Sequence, residues 1–309
     1  MAITFEQRHY RHTTAFAYRI LLPSLAFVVF FIGYPLVYSV WISFQDFKYG
    51  VPTGNVIWFQ NFLDILTNST VAPKFYDSLV VTGKFTVVAV IAVVVISLGI
   101  ALLINERFRG NDLLKLALLL PYAIPGPVNA VMWNWIYDPT FGVLNGVLFQ
   151  LGLIKDYFTI TGNPDLALWG IAFAYIWKFV PYSTFLFVAG LSTIPQSVYE
   201  AAQMDRAGIW RTFRKVTLPL LLPVFQMVLV IQTIFALLMH FGLVFVLTGG
   251  GPGGATTTLA WLIYNESFTF TRFGRGAAMA IMLSLIMIVF IYLYLVVLNP
   301  EKRSAAKGA

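Results

Sequence analysis

The chain has 309 residues, 59% of them hydrophobic and only 11% charged, far below the roughly 25% charge of soluble domains, so a soluble globular protein is excluded and an integral membrane protein implied. No cysteine is present, which excludes a disulfide framework, a thiolate nucleophile and a cysteine-held metal. The net charge of +7 is informative through its distribution among the loops rather than as a nucleic-acid signal, and no nucleic-acid partner is expected.

Six apolar runs are long enough to cross a hydrocarbon core of about 30 Å, which takes roughly 20 helical residues. They lie at 20–41, 79–104, 113–137, 166–191, 220–247 and 276–298, and the whole chain, 1–309, reads as one transmembrane domain. All six are expected to be helices, because an open strand in lipid leaves its backbone groups unpaired. Ahead of the first run stand Arg8, Arg11 and Arg19, but the run exceeds a signal-peptide core and has no small-residue cleavage site, so a span is expected. Pro35, Pro125, Pro127 and Pro181 are expected to bend or break their helices.

Basic residues alternate in density between successive connections. Arg8, Arg11, Arg19, Arg107, Arg109, Lys115, Arg206, Arg211, Arg214, Lys215, Lys302, Arg303 and Lys307 fall on one side, against Lys48, Lys74, Lys155, Arg272 and Arg275 on the other. Thirteen against five predicts both termini in the cytoplasm. The connections 42–78, 138–165 and 248–275 then face outward, with aromatic, Gly and Asn residues suited to folded loops.

Between the fourth and fifth runs lies a polar, basic stretch, SVYEAAQMDRAGIWRTFRKVTLP, from Ser197 to Pro219. Ser197 followed three residues later by Glu200 predicts a capping box and a helix start. Gly208 offers the turn residue, and a second short helix is expected to stop near Pro219. On physical grounds alone, an interfacial loop that merely joins two spans explains the stretch equally well.

The fourth run carries Tyr175, Lys178 and Tyr182 three and four residues apart, on one helix face. A lysine at this depth costs about 2.5–3.5 kcal/mol to insert, so it faces a cavity or partner, or snorkels outward. The fifth run places Gln232, Phe235, Ala236 and His240 at helical spacing. The glycine run from Gly249 to Thr258 is no nucleotide loop, since the Lys-Ser/Thr pair that grips phosphate and magnesium is missing. The histidines His9, His12 and His240 have no ligand spacing, and no metal site or catalytic constellation is expected. An ion-gradient transporter is the competing transport reading, weakened because no acidic residue lies mid-span.

Glu200, Ala201, Ala202, Asp205, then Val216, Leu218 and Pro219 resemble the EAA loop of permease subunits in binding-protein-dependent ATP-binding-cassette (ABC) importers. One departure is Arg206, where that family usually has glycine. The Gly249–Thr258 run, WNWIYDPTFGVLN from Trp133 to Asn145, and FGRGAA from Phe273 to Ala278 are similar to its carbohydrate (maltose-type) subfamily. The resemblance implies an all-α, type I importer fold with a cytoplasmic coupling helix-turn-helix formed by Ser197, Glu200, Ala201, Ala202, Asp205, Arg206, Gly208, Leu218 and Pro219. It implies a second, homologous permease subunit, two cytoplasmic ATPase subunits that carry the ATP and magnesium, and an extracytoplasmic solute-binding protein. The chain itself then binds no cofactor, is not an enzyme, and sits in a bacterial or archaeal cytoplasmic membrane. Aligned on the EAA loop, the substrate path falls at or beside Tyr175, Lys178, Phe179, Tyr182, Gln232, Phe235 and Ala236. The solute implied is a sugar, an oligosaccharide, or a polyol- or glycerophosphate-like compound.

Overall fold

A computed structural model describes residues 5–106, 109–238 and 240–297. Arg107, Leu298 and the basic Lys302, Arg303 and Lys307 lie outside them. In chain order the helices are α1 (Phe5–Val28), α2 (Tyr34–Ser43), α3 (Gln60–Thr67), α4 (Ala72–Asn105), α5 (Asn111–Ala123), α6 (Gly126–Ile136), α7 (Val143–Gln150) and α8 (Ala167–Ser192). They continue with α9 (Gln196–Met204), α10 (Ile209–Thr212), α11 (Leu218–Leu238), α12 (Phe241–Leu247), α13 (Leu259–Tyr264) and α14 (Phe273–Val297). A two-stranded antiparallel hairpin, β1 (Gln45–Lys48) and β2 (Val51–Val56), follows α2. Its tight turn takes Tyr49 and Gly50 at φ 53° and 79°, the backbone that matches strand twist. The expectation of an all-helical chain therefore holds for the spans, with one small hairpin between the first and second.

Five helices among the described residues are long and apolar enough to cross a membrane, and a bent pair supplies a sixth. That pair corrects the reading of 113–137 as one helix: α5 and α6 meet at 97°. The cause is local. Pro125 and Pro127 lack the N–H groups that would close the next turn, and Ile124 is driven to the extended ψ of 126° that a following proline favours. The other prolines behave differently. Pro181 stays inside a continuous α8, and Pro35 and Pro219 each follow a widened, π-type turn, Val29–Gly33 and Phe213–Thr217. In both cases the carbonyl four residues before the proline, on Phe31 or Lys215, lies within the wide turn, which relieves its clash with the proline ring. The helix after the basic stretch accordingly does not stop at Pro219, contrary to expectation, but runs from α10 through the wide turn into α11.

The chain divides into two units, residues up to Asn68 with Tyr264–Ile281, and Ser69–Ile263 with the residues from Met282 onward. In the first, Asn61 Nδ2 donates to the carbonyls of Ser43 (2.9 Å) and Gln45 (3.1 Å), tying α3 to the hairpin. The same unit buries Glu266, which accepts from Arg275 at 3.4 Å and lies 3.6 Å from Arg272, while Asp64 lies 3.9 Å from Arg275. Of the first span, Tyr18–Ser43, the most apolar 18 residues bury none of their number, and Ser43 at its end is buried.

In the second unit α4 and α8 pack together most extensively, with α11 against both and α12 against α6. Small residues line these seams: Ala89, Ser97, Ala101, Ala174 and Gly190 are buried, which lets helix backbones approach where no hydrophobic effect drives association. The WNWIYDPTFGVLN stretch is a structural element. Trp133 meets Phe173 and Trp177, the Tyr137 hydroxyl donates to Gly170 O (2.9 Å), and Asn145 Nδ2 donates to Phe158 O (2.8 Å). Asp138 Oδ1 accepts from Thr140 N, Thr140 Oγ1 and Phe141 N at 2.8, 2.6 and 3.1 Å. The Thr140 bonds, chiefly, hold this carboxyl below the usual carboxylate range. The glycine run closes on itself: Thr256 Oγ1 donates to Gly251 O and Thr257 Oγ1 to Gly250 O, at 2.7 and 2.8 Å.

Candidate functional site

The basic stretch forms a helix-turn-helix whose start and turn differ from expectation. α9 begins at Gln196 with Pro195 as the flanking cap residue, and no side chain caps it. Ser197 thus lies inside the first turn, and the Ser197–Glu200 capping box is not formed. Proline in the cap position displaces the serine because its fixed φ already suits a helix entry. At the other end, Arg206 N donates to Gln203 O (2.9 Å) and Ala207 N to Ala202 O (3.0 Å). Those two bonds form a Schellman closure, with Arg206 in the left-handed position at φ 52°.

Gly208, the predicted turn residue, instead has φ −67° and ψ 163° and leads into α10. The place where the resemblance calls for glycine is therefore the place that takes the left-handed backbone. Arg206 adopts it at a cost of about 1–2 kcal/mol for a residue with a Cβ. Arg206→Gly is expected to raise stability by about 0.5–1 kcal/mol, net of the glycine's added freedom in the unfolded chain. A melt of the purified protein with and without the change checks this; a lower midpoint overturns it.

Of the remaining loop residues, Glu200, Ala201, Asp205 and Pro219 are exposed, Leu218 is half-buried, and Ala202 is buried. Ala202 therefore faces the protein while Glu200 and Ala201 face away. The sequence reading passed over three large apolar side chains that flank the turn: Met204, Ile209 and Trp210 are 85%, 92% and 68% exposed. Their signal was an apolar Ile-Trp pair inside an otherwise polar stretch. The Arg214 guanidinium lies 5.8 Å from the Trp210 ring, and Phe213 stacks on the same ring. Thr217 Oγ1 donates to the Tyr199 hydroxyl at 3.4 Å, linking α9 to the wide turn. Between the loop and the end of α4 lies an open groove of about 920 Å³, walled by Leu98, Leu102, Tyr199 and Phe213 together with Ile209 and Trp210 themselves.

The second set of predicted residues comes together between α8 and α11. Tyr175 and Gln232 are fully buried; the Tyr175 hydroxyl donates to Gln232 Oε1 (3.3 Å), and Gln232 Nε2 donates to Ser183 Oγ (2.7 Å). Phe179 lies 4.4 Å from Tyr175 and 5.4 Å from Phe235, and Phe235 lies 5.8 Å from Tyr182. Ala236 is buried. The cluster therefore has an inner, helix-joining half (Tyr175, Phe179, Gln232, Ala236) and a half-exposed rim of Lys178, Tyr182 and Phe235. Tyr122, which no spacing rule connects to the fourth span, joins that rim by stacking on Tyr182 at 5.5 Å. Lys178 neither snorkels nor stands free, because its Nζ donates to the main-chain oxygen of Ile124 at the α5–α6 break. His240 is buried against Phe85, 4.7 Å between rings. Among the described residues no group of His, Asp and Glu is disposed to hold a metal ion.

Residues 94–302 match the family described as binding-protein-dependent transport system inner membrane component. The chain is 37% identical over 262 residues to the trehalose/maltose transport system permease protein MalF of Thermococcus litoralis, covering 85% of this chain and 86% of that one. It is 33% identical over 261 residues to the sn-glycerol-3-phosphate transport system permease protein UgpA of Yersinia pestis, covering 84% and 86%. It is 34% identical over 262 residues to the sulfoquinovosyl glycerol transport system permease protein SmoG of Agrobacterium fabrum, covering 84% and 82%. Its fold superposes on a chain of a bacterial ABC transporter involved in the import of the acidic polysaccharide alginate, with a TM-score of 0.81 at 20% identity, over 94% of this chain and 98% of that one. Helices that cross a membrane, a polar helix-turn-helix between the fourth and fifth, and this fold define a transport permease. The chain belongs to the binding-protein-dependent transport system inner membrane component family.

Proposed function

We propose that this chain is the transmembrane subunit of an ATP-driven importer that carries a carbohydrate, or a polyol or glycerophosphate-like relative of one, across a bacterial or archaeal cytoplasmic membrane. The observation that carries the reading is the helix-turn-helix: a fully formed, Schellman-closed turn presents Met204, Ile209 and Trp210 to the outside. Such contiguous exposed apolar side chains on a polar loop mark a docking site. The occupant is a cytoplasmic ATPase subunit, with both termini of this chain on the same side. ATP and magnesium reside on a pair of such subunits, and this chain is non-catalytic. A homologous permease completes the path, and a solute-binding protein delivers to its outer face. The relatives named for trehalose/maltose, sn-glycerol-3-phosphate and sulfoquinovosyl glycerol support the solute class. The rings of Tyr122, Tyr182 and Phe235 supply the faces on which sugar C–H groups stack. Closure of the ATPase pair on ATP drives the switch between outward- and inward-open states, because ATP binds the closed pair better than the open one.

Recovery of the tagged chain from mildly solubilised membranes tests the reading. The native chain is expected to bring an ATPase subunit with it. Ile209→Asp removes an anchor of the kind worth at least about 2 kcal/mol, roughly a 30-fold loss of affinity, and Glu200→Ala is expected to weaken recovery as well. Gly208→Pro leaves recovery unchanged, since its φ of −67° already suits proline. A native chain that brings no ATPase sinks the importer reading and favours transport driven by an ion gradient.

A further inference from the structure

The α5–α6 break occurs at Ala123, Ile124, Pro125, Gly126, Pro127. Neither proline carries an N–H, so the carbonyls of Pro121 and Ala123, at the end of α5, lose the donors that an unbroken helix supplies. The same end collects the partial negative charge of the helix dipole. Lys178 reaches this point from α8 and donates to Ile124 O. No acidic side chain pairs with Lys178 among the described residues, so its charge is met by the helix end itself. Two residues before Ile124, Tyr122 stacks on Tyr182 with an interplanar angle of 24°. Tyr182 stands one turn beyond Lys178 on α8. The ammonium cap and the ring pair are thus two links between the same two helices, side by side, on the half-exposed rim of the aromatic cluster.

We propose that Lys178 is a positioning residue: by capping α5 at its break it holds Tyr122 against Tyr182, and so fixes one wall of the solute path. The word "solute" rests on the importer reading above; the cap and its effect on the rings do not. Lys178 has an acceptor built into the chain, so the wall that it shapes holds the Tyr122–Tyr182 ring pair beside it.

Because the chain has no cysteine, a pair introduced by Leu119→Cys and Ala189→Cys, exposed on α5 and α8, gives the two spin-label sites of this chain, any cysteine of the partners being replaced by serine. The experiment uses the full chain, expressed with its partners and placed in nanodiscs, and reads the distance distribution between the labels. Lys178→Arg, which keeps a cationic donor, is expected to reproduce the native distribution. Lys178→Met, which keeps most of the apolar stem but has no donor, is expected to broaden it by about twofold as the break loosens. Lys178→Gln, a neutral donor with the same reach as Met, falls between them and serves if the Met variant is not recovered. A native-width distribution in Lys178→Met or Lys178→Gln, or a failure of Arg to restore it, overturns the proposal. Recovery of the ATPase is measured on the same samples. Its absence with the native chain counts against the importer reading alone, whereas its presence with an unchanged distribution counts against the cap alone.

Discussion

Gly142→Ala is expected to destabilise the chain by about 3 kcal/mol or more, the upper range for forcing atoms into a closed space. A Cβ on Gly142 runs into main-chain atoms of the 136–138 segment: Asp138 O, Ile136 O at 2.6 Å and Asp138 N at 2.8 Å. None of these is the movable end of a side chain. They belong to the turn that Asp138 closes and that Gly142 N itself completes by donating to Asp138 O at 3.0 Å. Relief therefore requires opening the turn, which exposes Thr140 and Phe141 N–H groups now held by the Asp138 carboxylate. The φ of −62° at Gly142 is ordinary, so the effect is one of space and not of backbone freedom. Thermal unfolding of the purified protein reads it. A shift no larger than that of an exposed control with open space around it, such as Gly99→Ala, shows that the turn yields cheaply and that its glycine is replaceable.

Glu266→Ala is expected to cost about 3–5 kcal/mol, the range for removing one partner of a buried ion pair. Glu266 and Arg275 have side chains only 6% and 18% exposed, and Arg275 Nε already lacks a partner among the described residues. Without Glu266 the guanidinium keeps Asp64, at 3.9 Å, as its ion-pair partner among the described residues. Arg272 is half exposed, and its share of the loss is small because water replaces the carboxylate there. Glu266→Gln retains the shape and an acceptor oxygen, so it separates charge from packing and is expected to lose less than Ala. The check is chemical unfolding in micelles together with protease sensitivity around residues 264–276. Equal losses for Gln and Ala show that hydrogen bonding to a neutral group contributes nothing there.

The span layout was legible because hydrocarbon thickness imposes a length on any apolar run, and five of the six predicted runs overlie single long helices. The third was legible as a proline-interrupted run, but not its angle, which depends on the way the freed carbonyls find partners. Lys178 supplies one from a different span, and no one-dimensional spacing contains that contact. The helix-turn-helix was placed correctly as to existence, yet its cap and its turn residue were misplaced for one reason. Pro195 starts α9 two residues earlier than Ser197 suggested, and the left-handed position is counted from the helix end, so it falls on Arg206 and not on the nearest glycine. The ion cluster was invisible for a simpler reason: Asp64 and Glu266 stand some two hundred positions apart, and only the fold brings them to one arginine. Tyr122 was missed on the same ground, across the break from any ring it touches.

The absence of a stop at Pro219 has a mechanical consequence. From Ile209 to Leu238 the backbone is helical without interruption, some 45 Å at 1.5 Å per residue. Bending such a rod costs hydrogen bonds, whereas sliding it along its axis costs only side-chain repacking. A push of a few ångströms delivered at Ile209 therefore passes toward Gln232 along one continuous helix, and the places where that helix can yield are its own wide turn, Phe213–Thr217, and the prolines Pro219 and Pro223.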